Sequence, residues 1–344
     1  MYWHPLLLAV ISAQSVALFL LLAAGLTAFR TTLHWQPDAA DRRQLALEAA
    51  AETASILGRA AFWLFLFAAI LLVFGIANVF HEDIAGAMCG TGVCQAMGGG
   101  GTRLLLFSGT LLVVMGLWYE MDKLNRMQAT LPLTQFNARL FLVVLPVAVL
   151  TLQQTYAAFA GIRPQRAVDC CAVVYDQFPT LLQAKSIFGV ADAWWMAAFI
   201  FLSLLLLGLS VLVNPATVKN QRLRSALGLL CMLWLPVAAL TLVNILSAYH
   251  YQVLHHHCPW CLFLPEHRLV GYPLYGAMGV IGLEGLTIFC LPRMVRQNPQ
   301  AYGHALDRCL RAARRLTIAG AFFMIFALAP AIVWRLRFGV WLSG

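Results

Sequence analysis

Charge is what this chain has least of. Only 11% of its 344 residues are Asp, Glu, Lys or Arg, where a soluble domain carries about 25%. Residues 1–29 contain none at all. With 61% hydrophobic residues, too little polar surface remains to coat a water-soluble globule. The sequence also lacks a P-loop, a dinucleotide-binding glycine fingerprint, an H-E-x-x-H helix and a serine nucleophile elbow. Nothing in the sequence therefore suggests nucleotide-driven transport by this chain alone. A c-type haem site is disfavoured too, because Leu262 stands where the C-x-x-C-H motif requires histidine.

What is present is a series of uncharged windows about 20 residues long, enough to cross a hydrocarbon core of about 30 Å. The expectation is an all-α polytopic membrane protein of eight spans, near 6–28, 60–80, 104–121, 140–161, 193–213, 225–248, 270–291 and 316–334. The first span reads as retained rather than as a signal peptide, since no basic segment precedes it. Segment 30–59, charged and rich in alanine, suits a short helix lying at the membrane surface.

The net charge of +9 follows membrane topology rather than nucleic-acid binding. Segments 30–59, 122–139, 214–224 and 292–315 hold 16 of the 23 Lys and Arg residues. The positive-inside rule puts these in the cytoplasm of a multi-pass protein of the bacterial inner membrane. Both termini and loops 81–103, 162–190 and 250–268 then face the periplasm. Trp194, Trp195 and Trp260 fall where an interfacial aromatic belt forms.

That sorting places three close cysteine pairs on the exported side: Cys89/Cys94, Cys170/Cys171 and Cys258/Cys261. The remaining cysteines, Cys231, Cys290 and Cys309, fall in spans or on the cytoplasmic side. Disulfides persist in oxidising compartments, so the asymmetry suits an exported thiol function. His81 stands eight residues before Cys89, and His250 eight before Cys258. Each pair is followed by an acid further on, Glu120 and Glu284. The match suggests two four-helix halves, 1–161 and 191–338, within one membrane domain 1–344.

The densest constellation is His255-His256-His257-Cys258-Pro259-Trp260-Cys261. A C-x-x-C forms a reversible disulfide, and a nearby cation lowers the pKa of its first thiol. The histidines can provide that cation, relay protons, or join the thiolates in holding Cu(I) or Zn. The third reading is a structural disulfide. Vicinal Cys170-Cys171 makes a strained, reducible bridge, chelates a soft metal, or bonds to other partners. Met88 and Met97 flank Cys89 and Cys94 downstream of His81, a soft-ligand density that favours Cu(I); the alternative is a loop with a flexible run Gly98–Gly101, one disulfide and two packing methionines. Glu284 lies about 18 Å into its span at 1.5 Å per residue from Tyr272. With Asn244 and Trp260 it is a candidate for a quinone headgroup or for protons, against a helix–helix hydrogen bond.

Two functions from different classes follow. The first is a membrane thiol–disulfide oxidoreductase relaying electrons among the cysteine pairs to a quinone and serving a periplasmic redox partner. Its arrangement resembles the DsbB and vitamin K epoxide reductase families, which also place a C-x-x-C at a span end and a second pair in an exported loop. Eight spans, the vicinal pair and the histidine run depart from their pattern. The second is a copper-binding and transfer protein that serves assembly of an exported metalloenzyme, with a periplasmic metallochaperone as partner. A structural subunit of a larger membrane complex, with inert disulfides, is the third.

Overall fold

In the computed structural model, residues 4–36, 39, 41–128, 130–163, 167–168, 186–253 and 256–342 are described. Eight helices among them are long and apolar enough to cross a membrane. In order these are α1 (Pro5–His34), α2 (Arg42–Asn78), α4 (Gly99–Arg126), α5 (Thr134–Ala160), α6 (Asp192–Leu212), α7 (Gln221–Tyr251), α8 (Gly271–Met294) and α9 (Pro299–Phe338). A short helix, α3 (Gly90–Ala96), precedes α4. The chain is a multi-pass helical membrane protein, as its composition requires. Helices dominate because a backbone in hydrocarbon must satisfy its own hydrogen bonds.

The helix starts follow local chemistry. Pro5 opens α1, and the Nδ1 of His4 accepts from the Leu6 N–H at 3.2 Å. Asp41 caps α2 by accepting from the Gln44 N–H at 2.7 Å. The charged segment expected to lie on the membrane surface is instead the start of α2. That helix has 37 residues, about 55 Å of length, so it runs well beyond a hydrocarbon core of about 30 Å. Its alanine-rich start contains no proline, and nothing in it breaks the helix before the apolar stretch begins. Basic segment 292–315 behaves likewise, with α9 beginning at Pro299.

Two compact units form. One contains residues 1–85, 93–167 and 293–305; the other contains 86–92, 168–292 and 306–344. In the first, α1 packs on α2 and α5, and α4 on α5 and α2. Its core includes Leu21, Phe65, Met115, Trp118 and Phe141. Gly58 is needed there: a Cβ would stand 2.5 Å from the Trp118 ring and 2.8 Å from Phe141. The run Gly98–Gly101, expected to be flexible, is ordered instead. Gly98 takes a positive φ of 57° and the other three form the first turn of α4. Gly101 lies close to the backbone of Cys94, where a Cβ would be 3.2 Å from Cα, so small size rather than mobility accounts for the glycine.

In the second unit, the rings of Phe199, Trp234 and Phe323 pack with centroids 5.0–6.4 Å apart. The indole N–H of Trp234 donates to Ser203 at 2.8 Å. Gly285 of α8 admits Cys231 of α7, whose Cβ would be 2.5 Å from an added methyl. Small residues allow such close helix approach in membranes. Helix α7 carries Pro236 and then a π-turn at Leu242–Leu246, both recognised causes of bending. Before α6, a two-residue antiparallel ladder pairs Ser186 with Ala191 and Ile187 with Val190, turning through Phe188 and Gly189, both at positive φ.

Glu284 is buried in α8. Its carboxylate meets Arg308 at 2.7 Å and Arg315 at 2.9 Å, both from α9. Arg308 is buried with it, whereas the Arg315 side chain is 56% exposed. Breaking a buried pair strands the remaining charge, so Glu284→Gln should cost about 3–5 kcal/mol of stability. Arg315→Ala should cost under about 1 kcal/mol. Chemical unfolding in detergent, followed by helix content, checks both; equal losses would overturn the assignment of Arg308 as the dominant partner.

Candidate thiol site

The site is built where α7 ends. Gln252 takes the left-handed conformation at φ 57°, and its N–H closes on the Ala248 carbonyl. The chain turns back towards α7 there. The Tyr251 hydroxyl donates to the Cys258 carbonyl, which fixes the first cysteine against the helix end. Pro259 and Trp260 make the turn, and Cys261–Phe263 forms one turn of 3₁₀ helix. The N–H groups of Phe263 and Leu264 close on the carbonyls of Trp260 and Cys261 at 3.0 and 3.1 Å. Gly271, opening α8, lets the Phe263 ring approach, since a Cβ would lie 2.9 Å from it.

Cys89 comes to this turn from 169 residues away. It immediately precedes α3, and the next residue, Gly90, has the Trp260 indole laid against it. A Cβ at Gly90 would stand 2.6 Å from that ring. Upstream, Gly86 has a positive φ of 78° and abuts the Val168 carbonyl, where a Cβ would be 2.2 Å away. Both glycines are therefore required by close approach.

The result is a triangle of buried sulfurs. Those of Cys89, Cys258 and Cys261 all lie within 4.8 Å of one another. Cys89 and Cys258 are 3.4 Å apart, and the Thr91 hydroxyl is 3.1 Å from the Cys258 sulfur. Cys258 has no exposed surface.

Protonation follows from this geometry. Hydrogen bonds to its sulfur from Cys261 first, then Cys89, with Thr91 adding to them, hold the Cys258 thiol far below the usual range despite its burial. Cys261 is pushed up, because its proton is held between the other two sulfurs and it too is buried. The reduced site thus holds one thiolate and thiol donors around it. Of the histidine run, His256 is disfavoured as the source of the expected positive field. Burial drives His256 and His267 towards the neutral form, with the Cys89 sulfur pulling the other way on His256. Their rings pack on Tyr251 at 4.8 and 4.5 Å.

Of the residues singled out in the sequence, Cys89, Cys258 and Cys261 come together. Cys94 lies on α3, half-buried, and is not one of the three clustered sulfurs. Cys170, Cys171 and His255 lie outside the described residues. His81 follows α2 and is half-buried; Met88 is exposed and Met97 buried. Asn244 sits in the π-turn and donates to the Leu240 carbonyl at 2.9 Å. Trp260 is a wall of the site, packed on Phe263 at 5.8 Å. Sequence reasoning missed Thr91 and Tyr251. Neither carries a signal, since a hydroxyl two residues after one cysteine and seven before another fits no recognised spacing.

Chemically the triangle can do two things. A disulfide needs about 2.05 Å between sulfurs, so modest side-chain rotation closes Cys258 onto a neighbour. Three thiolates around one soft ion at about 2.3 Å per bond sit roughly 3.8–4.0 Å apart, which also fits the triangle.

The low pKa of Cys258 has a measurable consequence. In reduced, metal-free protein, thiolate absorbance near 240 nm should retain one equivalent at pH 6, where an ordinary thiol is under about 1% ionised. Cys258→Ser should remove it, and a single titration near pH 8.5 in the native protein would contradict it. Because the folded pKa lies below the unfolded one, the thiolate's stabilisation is complete above about pH 8.5 and is lost as pH falls through the folded value. Comparison with protein-family models, curated proteins and solved structures finds no match to this chain, so the chemistry rests on these residues themselves.

Proposed function

We propose that the chain is a membrane thiol–disulfide oxidoreductase with Cys89, Cys258 and Cys261 as its exchanging sulfurs. The supporting observation is the triangle itself: three buried sulfurs within 4.8 Å, one of them placed to be the thiolate. Starting from a Cys258–Cys261 disulfide, the Cys89 thiolate attacks Cys261. A Cys89–Cys261 bond forms, the Cys258–Cys261 bond breaks, and the electron pair stays on Cys258, which leaves as a thiolate beside the Thr91 hydroxyl. No net oxidation occurs in that step, which moves the disulfide by one position. An exported protein dithiol reduces the site, becoming a disulfide as two electrons and two protons pass to the cysteines. A bilayer quinone accepts the same two electrons and two protons, becoming hydroquinone and restoring the disulfide. The aromatic side chains of Trp260, Phe263, Tyr272 and Tyr275 beside the turn offer flat apolar surface for such a carrier. The distribution of Lys and Arg supports an inner-membrane location with this face exported.

A second reading draws on the same triangle. Three sulfurs at metal-chelating separation suit Cu(I), handed over by an exported metallochaperone. One experiment separates the two. Protein purified anaerobically is assayed for bound metal and for free thiols before and after a short-chain ubiquinone is added. Loss of two thiols per chain on quinone addition, absent in Cys258→Ser, is the expected result. One copper per chain, lost in the same variant, would replace the redox reading with the metal one. Metal-free protein whose thiols ignore the quinone would sink both and leave a structural role.

A further inference from the structure

The first unit contains a 510 Å³ cavity, bounded by α1, α2, α4 and α5, that neither reading of the thiol site uses. Its size is that of a small-molecule pocket. We infer that it binds a small organic cation of the arylalkylammonium type.

The charges argue for the sign of the ligand. Glu48, Glu52 and Asp122 line the cavity, opposed by Arg126 in its wall and by Arg59 beside Asp122, which leaves one acid in excess. Asp122 is buried and forms the polar floor. Ser55 donates to its carboxylate at 2.6 Å, Asn137 donates at 3.3 Å, and Arg126 stands 3.4 Å away. Arg59 lies 3.8 Å from the same carboxylate. Glu48 and Glu52 belong to the early turns of α2, where Glu52 is exposed, so a cation approaching from the aqueous side meets negative charge first.

The hydrogen-bonding capacity argues that something polar sits inside. Three lining residues, each more than nine-tenths buried, carry a polar atom without a partner: the Thr31 hydroxyl, the Asn137 Oδ1 and the Trp118 indole N–H. Leaving such groups unmet costs free energy. Two of the three can accept, which suits an N–H donor. Part of the wall is apolar, with Ala24, Ala28, Ala138 and Phe141 among its residues, and offers a surface for an aromatic ring.

The test uses the full chain in nanodiscs, with empty nanodiscs subtracted. Titration calorimetry with 2-phenylethylammonium should give saturable binding at one site, and the neutral 2-phenylethanol should bind at least about tenfold more weakly. Thr31→Val strands no partner and should weaken the ammonium about tenfold. The double change Glu48→Gln, Glu52→Gln, at the mouth, should weaken the ammonium while leaving the alcohol unchanged. Helix content and thermal unfolding like those of the parent show that both variants fold. Heats that match those of empty nanodiscs, equal affinity for amine and alcohol, or variants that bind like the parent would each overturn the inference.

Discussion

A polar group in hydrocarbon has no water to turn to, and nearly every distinctive feature of this chain answers that constraint. The helices meet it for the backbone. For side chains the solutions are local and paired. Glu284 is neutralised by Arg308 and Arg315, and Asp122 by Arg59 and Arg126 with hydroxyl and amide donors. The Ser203 oxygen meets the Trp234 indole, and Thr151 and Thr155 return their hydroxyls to carbonyls one turn back. Against that background a thiolate at Cys258 is tolerable only because its charge is met by donors on three residues. The unmet groups around the cavity of the first unit are conspicuous for the same reason.

Close approach is the second requirement, and glycine supplies it where a site or a core depends on it. Gly58 admits Trp118, Gly285 admits Cys231, and Gly90 admits Trp260. The last of these links fold to chemistry. A side chain at Gly90 would push the indole away and take the turn carrying Cys258 with it, so the distance between Cys89 and Cys258 is set by a residue with no reactive group. The cost of overpacking such contacts, about 1–3 kcal/mol, would fall on the geometry of the sulfurs as well as on stability.

The sequence made the spans legible because an uncharged run of about 20 residues has few other uses, and it made Cys258 and Cys261 legible because their spacing is a motif. It was less informative about partners. Cys89 and Cys94 look like a pair on paper, but five residues of helix turn a side chain through about 140° beyond one full circle, so a helix following Cys89 separates what the spacing joins. The adjacent histidines suggested a cationic field, but burial, which spacing does not express, favours the neutral form of His256. Asp122 was hidden by its neighbours Lys123 and Arg126, which make it look like part of a solvated basic loop. Only the packing of α2 and α5 around it reveals a buried carboxylate. The helix runs on through the charged start of α2 because helix propensity does not change there, although polarity does.

The unequal sulfurs carry one further consequence for the exchange reading. A thiol of low pKa is a good leaving group and a stabilised product of reduction, whereas one of high pKa leaves reluctantly. Attack on a disulfide containing Cys258 therefore expels Cys258 in preference to Cys261, and any disulfide that includes Cys258 is more easily reduced than an unstrained bridge between ordinary thiols. Stabilising the reduced form raises the reduction potential, by about 30 mV for each 1.4 kcal/mol. On that reading the hydrogen bonds from Cys261, Cys89 and Thr91 to the Cys258 sulfur stabilise the reduced site, and the site favours giving a disulfide to a dithiol over taking one from it.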